Sequence, residues 1–163
     1  YESGSFDLVF CINALHHFQQ PRSFIHGAFR ILRAGGVLAI VGSDPHGQRG
    51  SWYVSDSFEG TSQRELERFP RWENVCAWMA DARFERVAQE GIERIYDPKH
   101  GRMVLEDPFL QKNACSQLAL LTDEAYEAGL RRIEAALDAV EAAGEDLVFR
   151  TDLSIAMLTA HKP

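Results

Sequence analysis

Two apolar runs separated by an amphipathic stretch dominate the first quarter of the chain. Phe6–Ile12 is apolar apart from one aspartate and rich in strand-forming residues, which is typical of a strand buried on both faces. Residues 21–33 place apolar side chains four positions apart, which predicts a helix that starts at Pro21 and ends at the Gly35-Gly36 pair. Val37–Val41 is a second buried strand. Together these segments predict one right-handed βαβ crossover.

The rest of the chain alternates irregular and periodic stretches. Thr122 and Gly144 suit the N-cap and the C-terminal stop of one long helix. The predicted segments are an irregular, lid-like connection over 42–62, a helical turn over 65–69, a helix over 72–82, a strand over 84–95 broken at 98–101, helices over 107–120 and 123–143, and a last strand over 147–160. The order β-α-β-α-α-β-α-α-β predicts an α/β layered architecture.

Composition narrows the class of protein. The 163 residues, 45% hydrophobic and 25% charged, fit a single globular domain over residues 1–163. A net charge of −7 and acidic helices over 107–143 disfavour nucleic acid as a partner. No apolar run reaches the ~20 residues needed to span a membrane. Three cysteines, odd in number and widely spaced, indicate reduced thiols and a cytoplasmic location.

Three phrases in the first 36 residues carry a family resemblance. They are Phe6-Asp7-Leu8-Val9, Leu15-His16-His17 and Arg30-Ile31-Leu32-Arg33-Ala34-Gly35-Gly36. In this order and spacing they resemble the fourth strand, and the segment leading to the fifth, of class I S-adenosylmethionine-dependent methyltransferases, specifically the small-molecule group that includes ubiquinone-biosynthesis enzymes. The resemblance is specific over residues 5–42. It implies a partial Rossmann-like methyltransferase sheet, made of the last four strands in mixed parallel and antiparallel order, with flanking helices.

The chain departs from the family pattern at the cofactor loop. The glycine-rich loop after the family's first strand and the acidic residue that ends its second have no counterpart here. The glycine cluster of residues 42–50 follows a later strand and has Gln48-Arg49 where a phosphate loop needs Lys-Ser/Thr. We therefore expect the C-terminal part of a methyltransferase domain whose N-terminal, cofactor-loop half is absent, and a chain that is inactive alone.

The end of the first strand is the predicted cofactor site. In open α/β sheets ligands bind beyond the carboxyl ends of the strands. By position and by resemblance the cofactor-facing residues are Ile12, Asn13, Ala14, Leu15 and His16. The amide of Asn13 offers both a donor and an acceptor to the methionine moiety of S-adenosylmethionine. The alternative interpretation is that Ile12, Ala14 and Leu15 only pack.

His16 and His17 are the candidate catalytic residues, since an imidazole titrates near neutrality and can act as a general base. Methyl transfer from a sulfonium is mainly a matter of alignment and does not always need a base. The alternative for His17 is a capping or packing role. A metal site is disfavoured because adjacent side chains at a strand end point apart and no third ligand lies at a suitable spacing.

Three further features have two interpretations each. Asp44 and His46 lie beyond the second strand, where they can contact substrate or simply form a Pro-Gly turn. The apolar stripe of helix 123–143 can pack on its own sheet, which the sequence favours, or on another subunit. A group of aromatic residues can line a substrate pocket or pack as core and lid: Trp52, Tyr53, Phe58, Trp72 and Trp78.

The function that follows is transfer of a methyl group from S-adenosylmethionine to a small-molecule acceptor. The alternative function is a non-catalytic interaction module. On either hypothesis the strand over residues 6–12 has an unpaired edge, and such edges recruit partners. The partner would be the missing N-terminal half or a second copy of the chain in a homodimer.

Overall fold

The computed structural model describes residues 1–47 and 50–163. Gln48 and Arg49, which distinguish the glycine cluster from a phosphate loop, lie outside the described residues. The described chain divides into two compact units. The first unit comprises residues 1–47, 68–94 and 154–163, and the second comprises residues 50–67 and 95–153.

The first unit is built around the βαβ crossover. Its helices and strands are β1 (Phe6–Ile12), a 3-10 turn (Leu15–His17), α1 (Pro21–Ile31), β2 (Leu32–Gly42), α4 (Trp72–Asp81), the first part of β4 (Glu85–His100) and the last part of β5 (Val148–His161). β1 runs parallel to β2, with Ile12 opposite Val41. β2 runs antiparallel to β5, with Leu38 opposite Ala160. The predicted α/β fold with a mixed sheet and flanking helices is confirmed.

One apolar core joins these elements. Cys11 of β1, Leu38 of β2 and Leu158 of β5 are buried against Ile25 of α1 and Val75 of α4. These residues lie on the core face of their elements, because alternate residues of a strand point to opposite sides of a sheet. Burial of that apolar surface, worth about 25 cal/mol per Å², holds the crossover together.

β1 buries one face only, which corrects the prediction of a strand buried on both faces. Val9 and Cys11 pack into the core, whereas Leu8, Phe10 and Ile12 are 53%, 64% and 55% exposed. A continuous apolar run predicts that both faces are covered but does not say by what. In the described residues nothing covers the second face.

The two glycines in the first half of β2 have different roles. Gly35 has a left-handed backbone, with a φ of 77°, and its N–H donates to the carbonyl of Lys162 at 2.8 Å. At Gly36 a Cβ would lie 3.0 Å from the Arg33 carbonyl oxygen and 3.2 Å from that of Asp7. Gly35 therefore takes a left-handed conformation inside β2 and not, as predicted, directly after the last turn of α1, which ends at Ile31; Gly36 lets two strands approach closely.

The second unit packs around a long helix. It contains β3 (Ser51–Trp52), α2 (Tyr53–Ser57), most of α3 (Thr61–Arg68), the end of β4, 3-10 turns (Gly101–Glu106 and Pro108–Leu110), α5 (Ser116–Ala119), α6 (Asp123–Ala143) and the start of β5. The bounds and caps of α6 are as predicted. The Thr122 hydroxyl accepts from the N–H of Ala125 at 3.2 Å, and Gly144 adopts the left-handed conformation.

The apolar stripe of α6 packs within its own unit. Ile133 and Leu137 are buried with Tyr53, Phe58 and Phe149, the last of which lies on β5. These contacts include Phe149 of β5, a strand of the chain's own sheet, which agrees with the interpretation that the helix packs on its own sheet.

Several element predictions are wrong. Helix α1 ends at Ile31 and not at the glycine pair, and the connection over 42–62, predicted to be irregular, contains β3, α2 and the start of α3. The segment 107–120 is not one helix, because Asp107 accepts from the N–H of Phe109 and starts a short 3-10 turn at Pro108. The strand predicted to break at Pro98 is β4, which continues to His100. Its residues up to Asp97 are exposed. Within the described residues, no helix has both the length and the apolar character needed to cross a bilayer.

Candidate functional site

A tight turn at the carboxyl end of β1 builds the site in the first unit. Asn13 has a left-handed backbone with a φ of 47°, and its N–H donates to the carbonyl of Val41 at 2.9 Å. Asparagine is one of the few residues that tolerate this conformation. The side-chain oxygen of Asn13 faces Gly42, where an added Cβ would stand 3.4 Å away. Residues in such backbone conformations are common at functional sites.

A small open pocket lies beyond this turn. It is bounded by the ends of two parallel strands and by the segment that enters α4. Its lining residues are Asn13, Ala14, Leu15, His16, Ile40, Val41, Gly42, Ser43, Phe69, Pro70 and Trp72. Four of the five residues predicted to face a cofactor are therefore brought together here. The exception is Ile12, whose side chain lies on the exposed face of β1.

His16 is the aromatic wall of the pocket. Its imidazole stacks on the ring of Phe69, with centroids 3.9 Å apart and planes 11° apart. Burial, and then the electrostatic effects of His17 and Arg68, lower the pKa of His16 from its ordinary value near 6.5 to about 4. His16 is therefore neutral at pH 7.

His17 is not among the lining residues of the pocket and is exposed. Its Nδ1 lies 3.3 Å from Nη2 of Arg68. Because a guanidinium can only donate, His17 Nδ1 accepts this hydrogen bond and the ring proton of the neutral imidazole is on Nε2. The rings of His16 and His17 lie 4.1 Å apart, tilted by 43°. The two candidate catalytic histidines thus lie in different surroundings.

Asp44 and His46 fix the pocket wall formed by residues 69–72. His46 Nε2 lies 2.8 Å from the carbonyl oxygen of Phe69, and the N–H of Trp72 donates to Asp44 Oδ2 at 3.3 Å. Asp44 also accepts the backbone N–H of His46 at 2.9 Å through its other oxygen. The turn predicted at this position exists, and it also carries two side chains that fix the segment leading into α4.

The five aromatic residues do not form one pocket. Trp72 lines the pocket and, with Trp78, packs on the core of the first unit. Tyr53 and Phe58 are fully buried in the core of the second unit, against which Trp52 packs. The packing interpretation accounts for most of this group.

The cysteines are free thiols within the described chain. Burial raises the pKa of Cys11, Cys76 and Cys115, which keeps each thiol protonated at neutral pH. None of the three is therefore placed as a nucleophile.

Sequence reasoning missed Arg68, Phe69 and Pro70. Residues 65–69 were expected to be a helical turn, whereas α3 ends at Arg68 and the two following residues form the pocket wall. The available signal was an aromatic residue directly before a proline, a dipeptide that ends helices. What the sequence did not show is that Phe69 reaches His16, more than 50 positions earlier.

Comparison with known proteins gives one family match. The model of the Methyltransferase domain family matches residues 1–40, which include β1, the Asn13 turn and the glycine pair. A search of curated protein sequences finds no match.

Solved structures share the fold. A protein of Anabaena variabilis, assigned as a methyltransferase of an antibiotic biosynthesis pathway, is 19% identical with a TM-score of 0.69, covering 98% of this chain and 68% of its own. A protein of Bacillus halodurans assigned as a methyltransferase is 22% identical with a TM-score of 0.52, covering 100% of this chain and 72% of its own.

A third similar structure is the Haemonchus contortus phosphoethanolamine N-methyltransferase 2, 16% identical with a TM-score of 0.51. It is in complex with phosphomonomethylethanolamine and S-adenosylhomocysteine. The match covers 100% of this chain, which spans only 34% of that enzyme's length. The ubiquinone-biosynthesis subtype stays a prediction. The main resemblance is confirmed: the chain has the fold of class I S-adenosylmethionine-dependent methyltransferases, and its first 40 residues match the methyltransferase domain family.

Proposed function

We propose that this chain is part of a cytoplasmic enzyme that transfers a methyl group from S-adenosylmethionine to a small molecule. The observation that carries this proposal is the pocket at the carboxyl ends of β1 and β2, which begins at the left-handed Asn13. That edge of an open α/β sheet is where ligands bind. The family match covers the same turn, and a structure with the same fold contains S-adenosylhomocysteine.

Within this proposal, Asn13, Ala14, Leu15 and His16 are the cofactor-facing residues, and Ile12, on the other face of β1, is not. The Asn13 amide donates to and accepts from the methionine portion of the cofactor. S-adenosylmethionine itself supplies the reactive methyl group. Because its pKa is lowered, His16 is a weak general base. Its role in this proposal is to contact and orient the reacting groups from its position against Phe69.

We propose further that residues 1–163 are the carboxyl-terminal part of a methyltransferase domain, inactive alone. The chain spans between 34% and 72% of three similar structures. The exposed apolar face made by Leu8, Phe10 and Ile12 is the kind of surface that a second layer of helices covers in an α/β fold. The amino-terminal part of the same domain is the partner that this face fits.

A ¹H–¹⁵N NMR titration with S-adenosylhomocysteine tests the cofactor site even if it is incomplete, because chemical shifts report millimolar binding. We expect saturable shifts at residues 13–16 and at Gly42 and Ser43. Shifts that are absent at millimolar ligand, or that fall outside the pocket, would contradict the proposed function.

Two variants sharpen this titration. Asn13→Gly keeps the left-handed backbone and removes the amide, so binding should weaken about tenfold. Gln19→Gly changes an exposed amide residue near the pocket and should leave the affinity unchanged. Equal affinities for both variants would remove Asn13 from the cofactor site.

A second candidate function is an interaction module that pairs through the outer edge of β1, the end strand of the described sheet, and buries the exposed face of Leu8, Phe10 and Ile12. Phe10, the most exposed of its three residues, would then pack against a second copy of the chain. Sedimentation equilibrium separates the candidates. Dimers that dissociate in the Phe10→Thr variant support the module, whereas a monomer at all concentrations supports the methyltransferase fragment.

A further inference from the structure

Arg68 and His17 form a hydrogen-bonded pair at the margin of the pocket. Arg68 directly precedes Phe69, which lines the pocket, and His17 directly follows His16, which lines it too. Since Arg68 Nη2 donates to His17 Nδ1 at 3.3 Å, the imidazole presents its Nε2–H as a donor. The other N–H groups of the guanidinium are donors as well. The pair therefore offers several donors and a positive charge.

No carboxylate neutralises this pair within the described residues. Some described arginines are paired with acids, as Arg22 is with Asp81, whereas others are not, such as Arg64, which donates to the carbonyl of Leu120. The one described partner of Arg68 is His17. This contact leaves the guanidinium without a counter-ion among the described residues. Its charge is available for a ligand.

The surroundings of His16 agree with a positive potential at this margin. The Arg68 guanidinium is one of the neighbours whose field disfavours protonation of its imidazole. A group entering the pocket beside His16 meets the same field. A guanidinium beside a donating imidazole suits the oxygens of a carboxylate or a phosphate, which accept paired N–H groups.

On the basis of the proposed function, we propose that Arg68 and His17 bind an anionic group of the methyl acceptor, so that the substrate is a small molecule carrying a carboxylate or a phosphate. The anion would replace the missing acidic partner of Arg68. The pocket beyond it, bounded by His16 and Phe69, would hold the part of the acceptor that is methylated.

The test uses small aromatic probes in NMR titrations of the chain. Benzoate and phenyl phosphate carry the two anionic groups, and benzamide is a neutral probe of similar shape. We expect both anions, or one of them, to shift the His17 Cε1–H and Arg68 Nε–H resonances in a saturable way, at least about tenfold more tightly than benzamide. The tighter anion identifies the acceptor's group.

Matched variants assign the effect to the pair. Arg68→Gln should weaken anion binding about tenfold, and Arg68→Lys, which keeps the charge but not the paired donors, about threefold. Arg71→Gln removes the same charge from an exposed neighbour that does not contact His17, and should change binding less than twofold. Spectra of the free variants establish that each is folded.

Equal binding of benzoate and benzamide, or equal losses in Arg68→Gln and Arg71→Gln, would overturn the anion site. The S-adenosylhomocysteine titration separates this failure from failure of the proposed function. A chain that binds S-adenosylhomocysteine at residues 13–16 but not the anions keeps the function and loses the acceptor class. A chain that binds anions through Arg68 but no S-adenosylhomocysteine loses the methyl-acceptor assignment.

Discussion

His46 Nε2 lies 2.8 Å from the backbone carbonyl oxygen of Phe69. Since a carbonyl can only accept, Nε2 carries the proton and donates it. This hydrogen bond fixes the residue whose ring stacks on His16. His46 is thus a positioning residue for one wall of the pocket. The sequence suggested either a contact with substrate or a simple turn, and the observed role is neither of these alone.

Replacing His46 should loosen that wall. We expect His46→Ala to lose about 1 kcal/mol of unfolding free energy, the net value of one hydrogen bond, and to shift the His16 ring protons as the Phe69 ring current is lost. His26→Ala, on the exposed side of α1, is the control. Unchanged His16 resonances in His46→Ala would remove the positioning role.

His16 should titrate far below an ordinary histidine. Its pKa is lowered to about 4, chiefly by burial and then by the electrostatic effects of His17 and Arg68. Between pH 6.5 and 4 the unfolded chain binds a proton at His16 that the folded chain does not bind. Stability therefore falls as pH falls through this window, by about 1–2 kcal/mol once partial exposure is allowed for.

The Cε1–H resonance of His16 measures this midpoint directly. Unfolding at pH 7 and pH 4.5 measures its energetic consequence, and His16→Gln should reduce the difference between the two pH values. A His16 midpoint near 6.5 would show that the imidazole is solvated in the folded chain and would contradict the prediction.

Two helical glycines should respond oppositely to alanine. At Gly129 in α6 an added Cβ would overlap the fully buried ring of Phe58, whereas at Gly27 in α1 nothing lies within 4 Å. We expect Gly129→Ala to cost about 1–3 kcal/mol through overpacking, and Gly27→Ala to gain about 0.5–1 kcal/mol through helix propensity.

Urea unfolding of the two glycine variants tests this contrast with one type of substitution. Because the side chain added is the same, the difference between the two free energies isolates the contact with Phe58. A stabilised Gly129→Ala would mean that the Phe58 ring can move aside at little cost.

Much of this fold is readable from local patterns. The caps of α6 are set by Thr122 and Gly144, whose chemistry acts within a few residues, and its bounds are as predicted. The βαβ crossover follows from apolar periodicity in the same way. The helix predicted over 107–120 is wrong because Asp107 and Pro108 together favour a short 3-10 turn, although the apolar spacing of the segment indicated a helix.

The sequence predicts the side of the pocket that follows β1 but not the side formed by residues 68–70. Asn13 and His16 lie directly after β1, so the topology of an α/β sheet placed them. Arg68 and Phe69 reach the same place through contacts between distant parts of the sequence, which no local pattern encodes. The exposed face of β1 is a similar case, because a strand's sequence shows that a face is apolar and not what covers it.

The buried pair of Tyr53 and Asp107 gives the last prediction. The Tyr53 hydroxyl donates to Asp107 Oδ2 at 2.8 Å, and the two residues are 3% and 7% exposed. Burial and the hydrogen bond to this carboxylate raise the pKa of Tyr53 above its usual range. Above pH 10 the unfolded tyrosine loses a proton that the folded one keeps, so stability should fall as pH rises beyond 10.

Tyr53→Phe should lower the unfolding free energy at pH 7 by about 2 kcal/mol, because a buried carboxylate loses a donor. Tyr126→Phe is the matched control, since its hydroxyl donates to the neutral carbonyl of Leu110 at 2.7 Å and its loss should cost about 1 kcal/mol. Thermal unfolding of both variants at pH 7 and pH 10.5 checks the two effects together. If Tyr53→Phe cost no more than Tyr126→Phe, water would be reaching Asp107 and the pair would not be the buried anchor of the second unit's core.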